Sequence, residues 1–147
     1  MKNKKGFTLI ELLVVVAIIG VLSLIGLRLY STQQDKAKNA IVKANVGGIQ
    51  TAIQTNITDK NYQQESSAER ITAALIDIPN AAGCRNPYTG GTGNINLIKA
   101  SGDSLTDGDE DMDFGKVAIA SPDKNEFLVQ GLDQDGKLFG NVLQVKK

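Results

Sequence analysis

One carboxylate lies in an otherwise apolar stretch near the start of the chain. Between Phe7 and Leu27, Glu11 is the only charged residue, and Thr8 and Ser23 are the only other polar ones. A lone charge is unfavourable in lipid, by roughly 2.5–3.5 kcal/mol at the bilayer centre and less near an edge. Two explanations follow: Glu11 reaches the membrane interface, or it has a positive partner outside the span or on another copy of the chain.

The stretch around Glu11 has the length of a membrane span. Its 21 residues would reach about 30 Å as a helix, which matches one hydrocarbon thickness. No cleavage site of the small-residue type closes it, so we expect it to be retained. Charge does not set its orientation, because lysines precede it and basic residues also follow it: Lys2, Lys4, Lys5, then Arg28, Lys36, Lys38 and Lys43.

A second group of carboxylates lies in residues 106–115. Five of the seven positions from 107 to 113 are acidic, and alternate aspartates at this spacing resemble a calcium-binding loop. The pattern departs from an EF-hand, since Met112 stands where glycine is required and Ala118 where the last glutamate would be. An exposed acidic loop is favoured and no metal is predicted; a weak calcium site is the alternative, with candidate ligands Asp107, Asp109, Asp111 and Asp113.

The composition argues against catalysis. The chain has no histidine and one cysteine, Cys84, which excludes Ser-His-Asp and Cys-His pairs, imidazole metal sites and an intramolecular disulfide. The glycines of residues 80–94 do not have phosphate-loop spacing. We predict no enzyme and no cofactor. Residues 61–147 contain thirteen acids and eight Lys or Arg, so no nucleic-acid partner is predicted either.

Apolar periodicity predicts an α+β fold. A stripe at helical spacing continues the first helix to about residue 60, giving about 50 helical residues; it comprises Ala37, Ala40, Ile41, Ala44, Gly48, Ile49, Ala52, Ile53 and Ile57. Ser66 and Glu69 predict a capping box for a short helix, Ala68–Asp77, ended by Pro79. Strands are predicted at 95–99, 116–120, 126–132 and 137–145, with turns at 121–123 and 133–136. Together these elements predict a long N-terminal helix, transmembrane and then amphipathic, packed on a small antiparallel sheet.

The N-terminal residues resemble a known family. Residues 6–11, GFTLIE, follow lysines and precede LLVVVAIIGVL, and this segment is similar to the prepilin motif of bacterial type IV pilins and their pseudopilin relatives. The resemblance covers residues 2 to about 27. It implies cleavage after Gly6 by a membrane prepilin peptidase and methylation of the new amine of Phe7. It further implies that Glu11 neutralises the Phe7 ammonium of a neighbouring subunit during assembly.

The resemblance also implies a domain plan and a location. The leader would be 1–6, the transmembrane or filament-core helix 7–28, the amphipathic half 29–60 and the globular head 61–147. Before assembly the chain would cross the cell membrane once with a cytoplasmic N-terminus; afterwards it would lie in an extracellular pilus.

Two functions share this motif. The expected one is the structural subunit of a type IV pilus for adhesion or motility, self-assembled into a homopolymer by membrane machinery. The alternative is a pseudopilin of a type II secretion or DNA-uptake system. The chain departs from the family pattern where Arg28 stands near the position of a common proline, and where many pilins have a C-terminal disulfide.

Overall fold

The computed structural model describes residues 6–59, 66–76, 83–108 and 113–146. The chain forms two compact units, Met1–Lys36 and Ala37–Lys147; the predicted domain limits at 6, 28 and 60 stay predictions. The elements are α1 (Leu9–Asp59), α2 (Ser67–Ile76), α3 (Asn94–Leu97), β1 (Ile98–Ala100), β2 (Val117–Asp123), β3 (Glu126–Leu132) and β4 (Leu138–Lys146). The predicted α+β class is confirmed.

Helix α1 has 51 residues, as the continuous apolar and amphipathic pattern predicts. Valines and isoleucines at 14–19 are weak helix formers in water, and they are exposed. A helix is nevertheless the conformation that satisfies every backbone group of an apolar segment internally. By length and composition α1 is able to cross a membrane. It is the one helix of the described residues that meets this criterion.

Within Ala37–Lys147, α1 buries a different stripe from the predicted one. Ala37, Ala40, Ile41 and Ala44 are exposed, so that part of the prediction was wrong. The buried face comprises Val42, Asn45, Val46, Ile49, Ile53 and Ile57. Val42 and Val46 set the face because they continue the three- and four-residue steps of Ile49, Ile53 and Ile57. Ile41 is large but lies beside this face and is exposed.

The sheet has the order β1-β2-β3-β4 and is mixed. Strands β2, β3 and β4 form the predicted antiparallel meander. Strand β1 instead pairs with β2 in parallel, with Ile98 opposite Val117 and Ala100 opposite Ile119. Parallel neighbours need a connection of about a dozen residues or more, and residues 101–116 supply one. Side-chain alternation carries no information on strand direction, which is why the sequence did not reveal it.

Two local predictions were displaced. Residues 95–97 were expected in a strand, but they form α3, in which Asn96 N and Leu97 N donate to Gly93 O at 3.1 Å. The turn expected at 121–123 lies later, because β2 continues to Asp123 through an irregularity after Ala120. Pro122 has no N–H to donate and lies in this irregularity, where a strand tolerates it.

The core joins one face of the sheet to both α1 and α2. Phe127, Val129 and Val145 from the sheet pack with Ile49 and Ile53 of α1 and with Ile71 and Ala74 of α2. Helix α2 begins at Ser67, one residue before the predicted start, and Glu69 N donates to Ser66 Oγ at 3.2 Å, as the predicted capping box requires. The predicted end at Pro79 lies outside the described residues.

A buried arginine fixes α2 to the sheet. Arg70 is 4% exposed, and its Nε and Nη2 donate to Ser121 Oγ at 2.9 Å and Ser121 O at 2.6 Å. Burial of a guanidinium is tolerated only when its donors are paired. Ser121 belongs to the irregular end of β2, so this contact places α2 against that end of the strand.

Side-chain hydrogen bonds attach residues 84–96 to the rest of the domain. The chain has one cysteine, so no intramolecular disulfide contributes. The buried Asn86 amide donates to Asn96 O at 2.9 Å and Phe114 O at 3.0 Å, and its Oδ1 accepts from Tyr88 N at 2.9 Å. Asn45 Nδ2 of α1 donates to Arg85 O at 2.9 Å. The Tyr88 hydroxyl donates to Asn39 Oδ1 at 3.0 Å, and Lys38 Nζ lies 4.9 Å from the Tyr88 ring centre.

Two glycines test how closely α1 approaches the sheet. A Cβ on Gly131 would lie 2.9 Å from Val42 Cγ1 and 3.0 Å from Phe139 Cε1, whereas a Cβ on Gly47 has no such neighbour within 4 Å. We expect Gly131→Ala to lower the free energy of unfolding by about 1–3 kcal/mol through overpacking. The control Gly47→Ala should raise it by about 0.5–1 kcal/mol, because alanine restricts the unfolded chain. Urea denaturation of both variants measures this; a neutral Gly131→Ala contradicts the close approach.

Candidate functional site

The residues predicted for cleavage precede the first helix. Gly6, Phe7 and Thr8 are exposed and non-helical, and α1 begins at Leu9. Among the residues that the structure describes, no non-neighbouring one has a heavy atom within 4 Å of a Cβ built on Gly6. A protease requires an extended, accessible backbone on both sides of the bond that it cuts. Gly6 and Phe7 are accessible and non-helical, and the residues before Gly6 lie outside the described part of the chain.

Glu11 and Thr8 form a capping box at the start of α1. Thr8 N and Thr8 Oγ1 donate to Glu11 Oε2 at 2.8 and 2.7 Å, and Glu11 N donates to Thr8 Oγ1 at 3.3 Å. This reciprocal pairing satisfies backbone donors that a helix leaves open at its first turn. Negative charge is also favourable there, because the helix dipole is positive at its N-terminus.

The capping box fixes where the carboxylate lies. Both Thr8 bonds go to Oε2; within the described part of the chain, Oε1 accepts no hydrogen bond. A neutral hydroxyl and an amide stabilise the charge but do not neutralise it. The assembly roles of Phe7 and Glu11, and cleavage after Gly6, stay predictions. The geometry leaves one carboxylate oxygen open for a cation.

The helix around this carboxylate carries apolar side chains that no part of the chain described by the structure buries. From Phe7 to Tyr30 every large apolar side chain is at least 45% exposed. A soluble monomer rarely exposes so large a continuous apolar surface. This surface therefore requires lipid, or other protein, around it.

The described carboxylates of the acidic segment have protein partners. Asp107 Oδ1 accepts from Leu138 N at 2.9 Å, at the start of β4. Asp113 is 8% exposed; its carboxylate pairs with Lys99 Nζ, and its Oδ1 lies 3.4 Å from Lys116 Nζ. Asp109 and Asp111 lie outside the described residues. Calcium binding by this segment stays a prediction. The Asp113 carboxylate is already paired with Lys99 and Lys116.

Two lysines determine the charge state of Asp113. Burial by itself raises the pKa of this carboxyl, but the hydrogen bonds and charges of Lys99 and Lys116 outweigh burial and hold the pKa below its usual value. Lys99 is on β1 and Lys116 directly precedes β2. The ion pairs therefore fix the end of the acidic segment to the parallel strand pair.

Cys84 has a structural environment. The thiol is buried, and a Cβ on Gly48 of α1 would lie 3.4 Å from its Sγ. Burial raises the pKa of the thiol, which makes it a poor nucleophile at neutral pH. It acts as a small apolar side chain in the core.

Sequence reasoning missed the buried polar residues. Asn86 and Arg70 make side-chain hydrogen bonds to partners that lie 10 to 51 residues away in the sequence. A single polar residue without periodicity gives no pattern to detect. The only local signal was the turn-rich composition of residues 86–93, which places an asparagine at a turn but not in the core.

Known proteins resemble the chain both at its N-terminus and over most of its length. The family model for the prokaryotic N-terminal methylation motif matches residues 1–27. The type IV major fimbrial protein FimA of Dichelobacter nodosus is 31% identical over 123 residues, which are 80% of this chain and 76% of that protein. Fimbrial protein Q of Moraxella bovis is 32% identical over 68% of this chain and 59% of its own length.

A third relative extends the comparison to another genus. The type IV major pilin protein PilA of Myxococcus xanthus is 35% identical over 60% of this chain and 47% of its own length. No solved structure matches the chain. The chain belongs to the type IV pilin family. Its named relatives are fimbrial and pilin proteins and not enzymes.

The Asp113 ion pairs predict a pH-dependent stability. The folded-state pKa lies below the value of about 3.9 for an unfolded aspartate, so the contribution is complete above roughly pH 5 and is lost as the pH falls through the folded-state pKa. We expect Asp113→Asn to lower the free energy of unfolding by about 1.5–3 kcal/mol at neutral pH. The difference from the parent protein should shrink towards zero in acid.

Asp103→Asn is the matched control for that measurement. Its carboxylate is 78% exposed and 3.9 Å from Arg70 Nη2, so its removal should change the free energy of unfolding by less than about 1 kcal/mol. Urea titrations between pH 3 and 7 compare the two variants. An Asp113→Asn effect that is constant over this range contradicts the proposed charge state.

Proposed function

We propose that the chain is the structural subunit of an extracellular type IV pilus that serves adhesion or motility. The observation that carries the proposal is a single capped carboxylate, Glu11, at the start of an exposed apolar helix whose methylation motif matches the family. The relatives named as major fimbrial proteins and major pilin support this assignment over a function unrelated to filaments.

The proposed processing is cleavage between Gly6 and Phe7 by a membrane prepilin peptidase, followed by methylation of the Phe7 amine. The accessible, non-helical backbone at Gly6 supports this step. Cleavage removes the basic leader and leaves an ammonium four residues from Glu11. Methylation retains that positive charge.

The proposed assembly step pairs this ammonium with Glu11 of a neighbouring subunit. The charge of Glu11 is only partly compensated by Thr8, and Oε1 is the oxygen directed at no described group. Opposite charges attract strongly away from water, whereas each of them alone is destabilising there. Because the ammonium exists only after cleavage, the uncut chain lacks one of the two charges that the contact needs.

The proposed location changes during the life of the subunit. Before assembly, the segment 7–28 spans the cell membrane once with the N-terminus on the cytoplasmic side. Membrane assembly machinery then transfers the apolar helix from lipid into the core of a homopolymer outside the cell. The exposure of the helix supports both environments, since lipid and neighbouring helices cover it equally well.

An intact mass measurement tests the processing. Protein from filaments sheared off native cells should lack Met1–Gly6 and carry one methyl group at Phe7. Recovery in the sheared fraction supports the pilus. Processed protein confined to the cell envelope would instead favour the pseudopilin alternative, and a chain that starts at Met1 would contradict the proposed processing.

The charge of Glu11 provides a second test. We expect Glu11→Gln to be cleaved normally, because the Gly6–Phe7 bond is unchanged, but to be depleted in the sheared fraction by roughly tenfold or more. Asp35→Asn is the matched control, because it removes another acid from the same helix beyond the apolar stretch. Quantitative immunoblots of cell and sheared fractions measure both variants. Equal filament yield for Glu11→Gln and the parent would contradict the pairing.

A further inference from the structure

A second charged residue lies on the exposed apolar helix, at its other end. Between Phe7 and Gln34 the charged side chains are Glu11 and Arg28. Each lies in a patch of exposed apolar residues. The acidic patch comprises Phe7, Ile10, Glu11, Val14 and Val15. The basic patch comprises Leu24, Ile25, Arg28 and Leu29.

The two charges cannot meet within one chain. They are 17 residues apart on a continuous helix, which separates them by about 25 Å along its axis. In the described part of the chain, no carboxylate lies within ion-pair distance of the Arg28 guanidinium. Filament assembly would remove the apolar surface around Arg28 from water or lipid headgroups, so its charge then requires an acid from another molecule.

We propose that Arg28 of one subunit pairs with Glu11 of a second, parallel copy displaced by 17 residues, about 25 Å, along the helix axis. This inference rests on the proposed pilus function and specifies a contact within it. The apolar side chains of the two patches pack in the same contact. The partner is a second copy of this chain, because the two patches are complementary in charge and share an apolar character.

The arrangement produces an open polymer. Seventeen residues at 3.6 per turn place Glu11 and Arg28 roughly 100° apart around the axis, so one helix can contact two different copies through its two patches. A contact between different surfaces of identical chains repeats without closing when the rotation permits it. Common insertion in the membrane keeps the copies parallel and so prevents a closed antiparallel pair.

The contact is compatible with the ammonium of Phe7. Thr8 uses Glu11 Oε2, and a carboxylate has about four acceptor sites. One carboxylate therefore has room for an ammonium from one neighbour and a guanidinium from another. Arg28 lies within α1 and adds a fixed axial stagger, which the terminal ammonium, on a residue before the helix, does not impose.

Cysteine cross-linking in filaments tests the stagger. Val14 and Ser31 are also 17 residues apart, one helical turn beyond the charged pair, so they should lie at the same level on neighbouring copies. We would combine Val14→Cys and Ser31→Cys with Cys84→Ala, which removes the native thiol. Oxidation of purified filaments by copper phenanthroline should give a ladder of dimers, trimers and higher multimers on a denaturing gel.

The matched control pairs Val14→Cys with Leu24→Cys. Leu24 and Ser31 are seven residues apart and share a helix face, but their levels differ by about 10 Å. This control should stay monomeric after oxidation. Filaments of the first variant without a ladder, or equal ladders from both variants, would overturn the stagger. Absence of filaments from the Cys84→Ala parent, with native cells equally bare, would count against the pilus function instead.

Charge variants decide the question if the double-cysteine variant does not assemble. Arg28→Lys should retain the filament yield within about twofold, whereas Arg28→Glu should reduce it by roughly tenfold or more, since two like charges then meet. An unchanged yield for Arg28→Glu would overturn the proposal and would match an arginine that contacts only lipid headgroups. Immunoblots of sheared and cell fractions distinguish failed assembly from failed expression.

Discussion

The apolar surface of residues 9–30 must be covered by lipid or by other protein, because the described residues of the chain leave it exposed. This requirement explains why the segment is helical, since only a helix satisfies its backbone without outside partners. It also explains why the charged groups lie towards the ends of the segment, where Glu11 caps the first turn with Thr8 and Arg28 lies near the other end, and why the Ser23 hydroxyl inside it donates to Ile19 O. Both lipid and the packed interior of other protein surround the helix with apolar groups, and a charge needs a specific partner in either of them.

The unit Ala37–Lys147 instead buries its own apolar residues in a core formed by few elements. One face of α1 carries large side chains at Val42, Val46, Ile49 and Ile53, and the meander supplies the opposing layer. Gly131 allows β3 to approach Val42 closely. Polar side chains then fix the segments that lie outside the core. Arg70 binds the end of β2, Asn86 binds within the loop before α3, and Asp113 pairs with lysine at the end of the acidic segment.

Local signals in the sequence were sufficient for the elements with strong periodicity or turn chemistry. The length of α1, the cap at Ser66 and the Asp133–Gly136 hairpin were all predicted, because each depends on residues close in the chain. The parallel direction of β1, the exposed side of Ala37 and Ala40, and the roles of Asn86 and Arg70 depend on partners far away in sequence. The N-terminal site was readable as a motif, but its capping geometry required the structure.

The hydrogen bonds of the Asn86 side chain, and not a disulfide, hold residues 84–96 in the folded domain. These bonds are amide hydrogen bonds, and the native thiol at Cys84 is enclosed with a raised pKa. Nothing in this closure exchanges electrons with the surroundings. Folding of the domain therefore does not depend on an oxidation step, and no intramolecular disulfide forms in reducing or in oxidising environments.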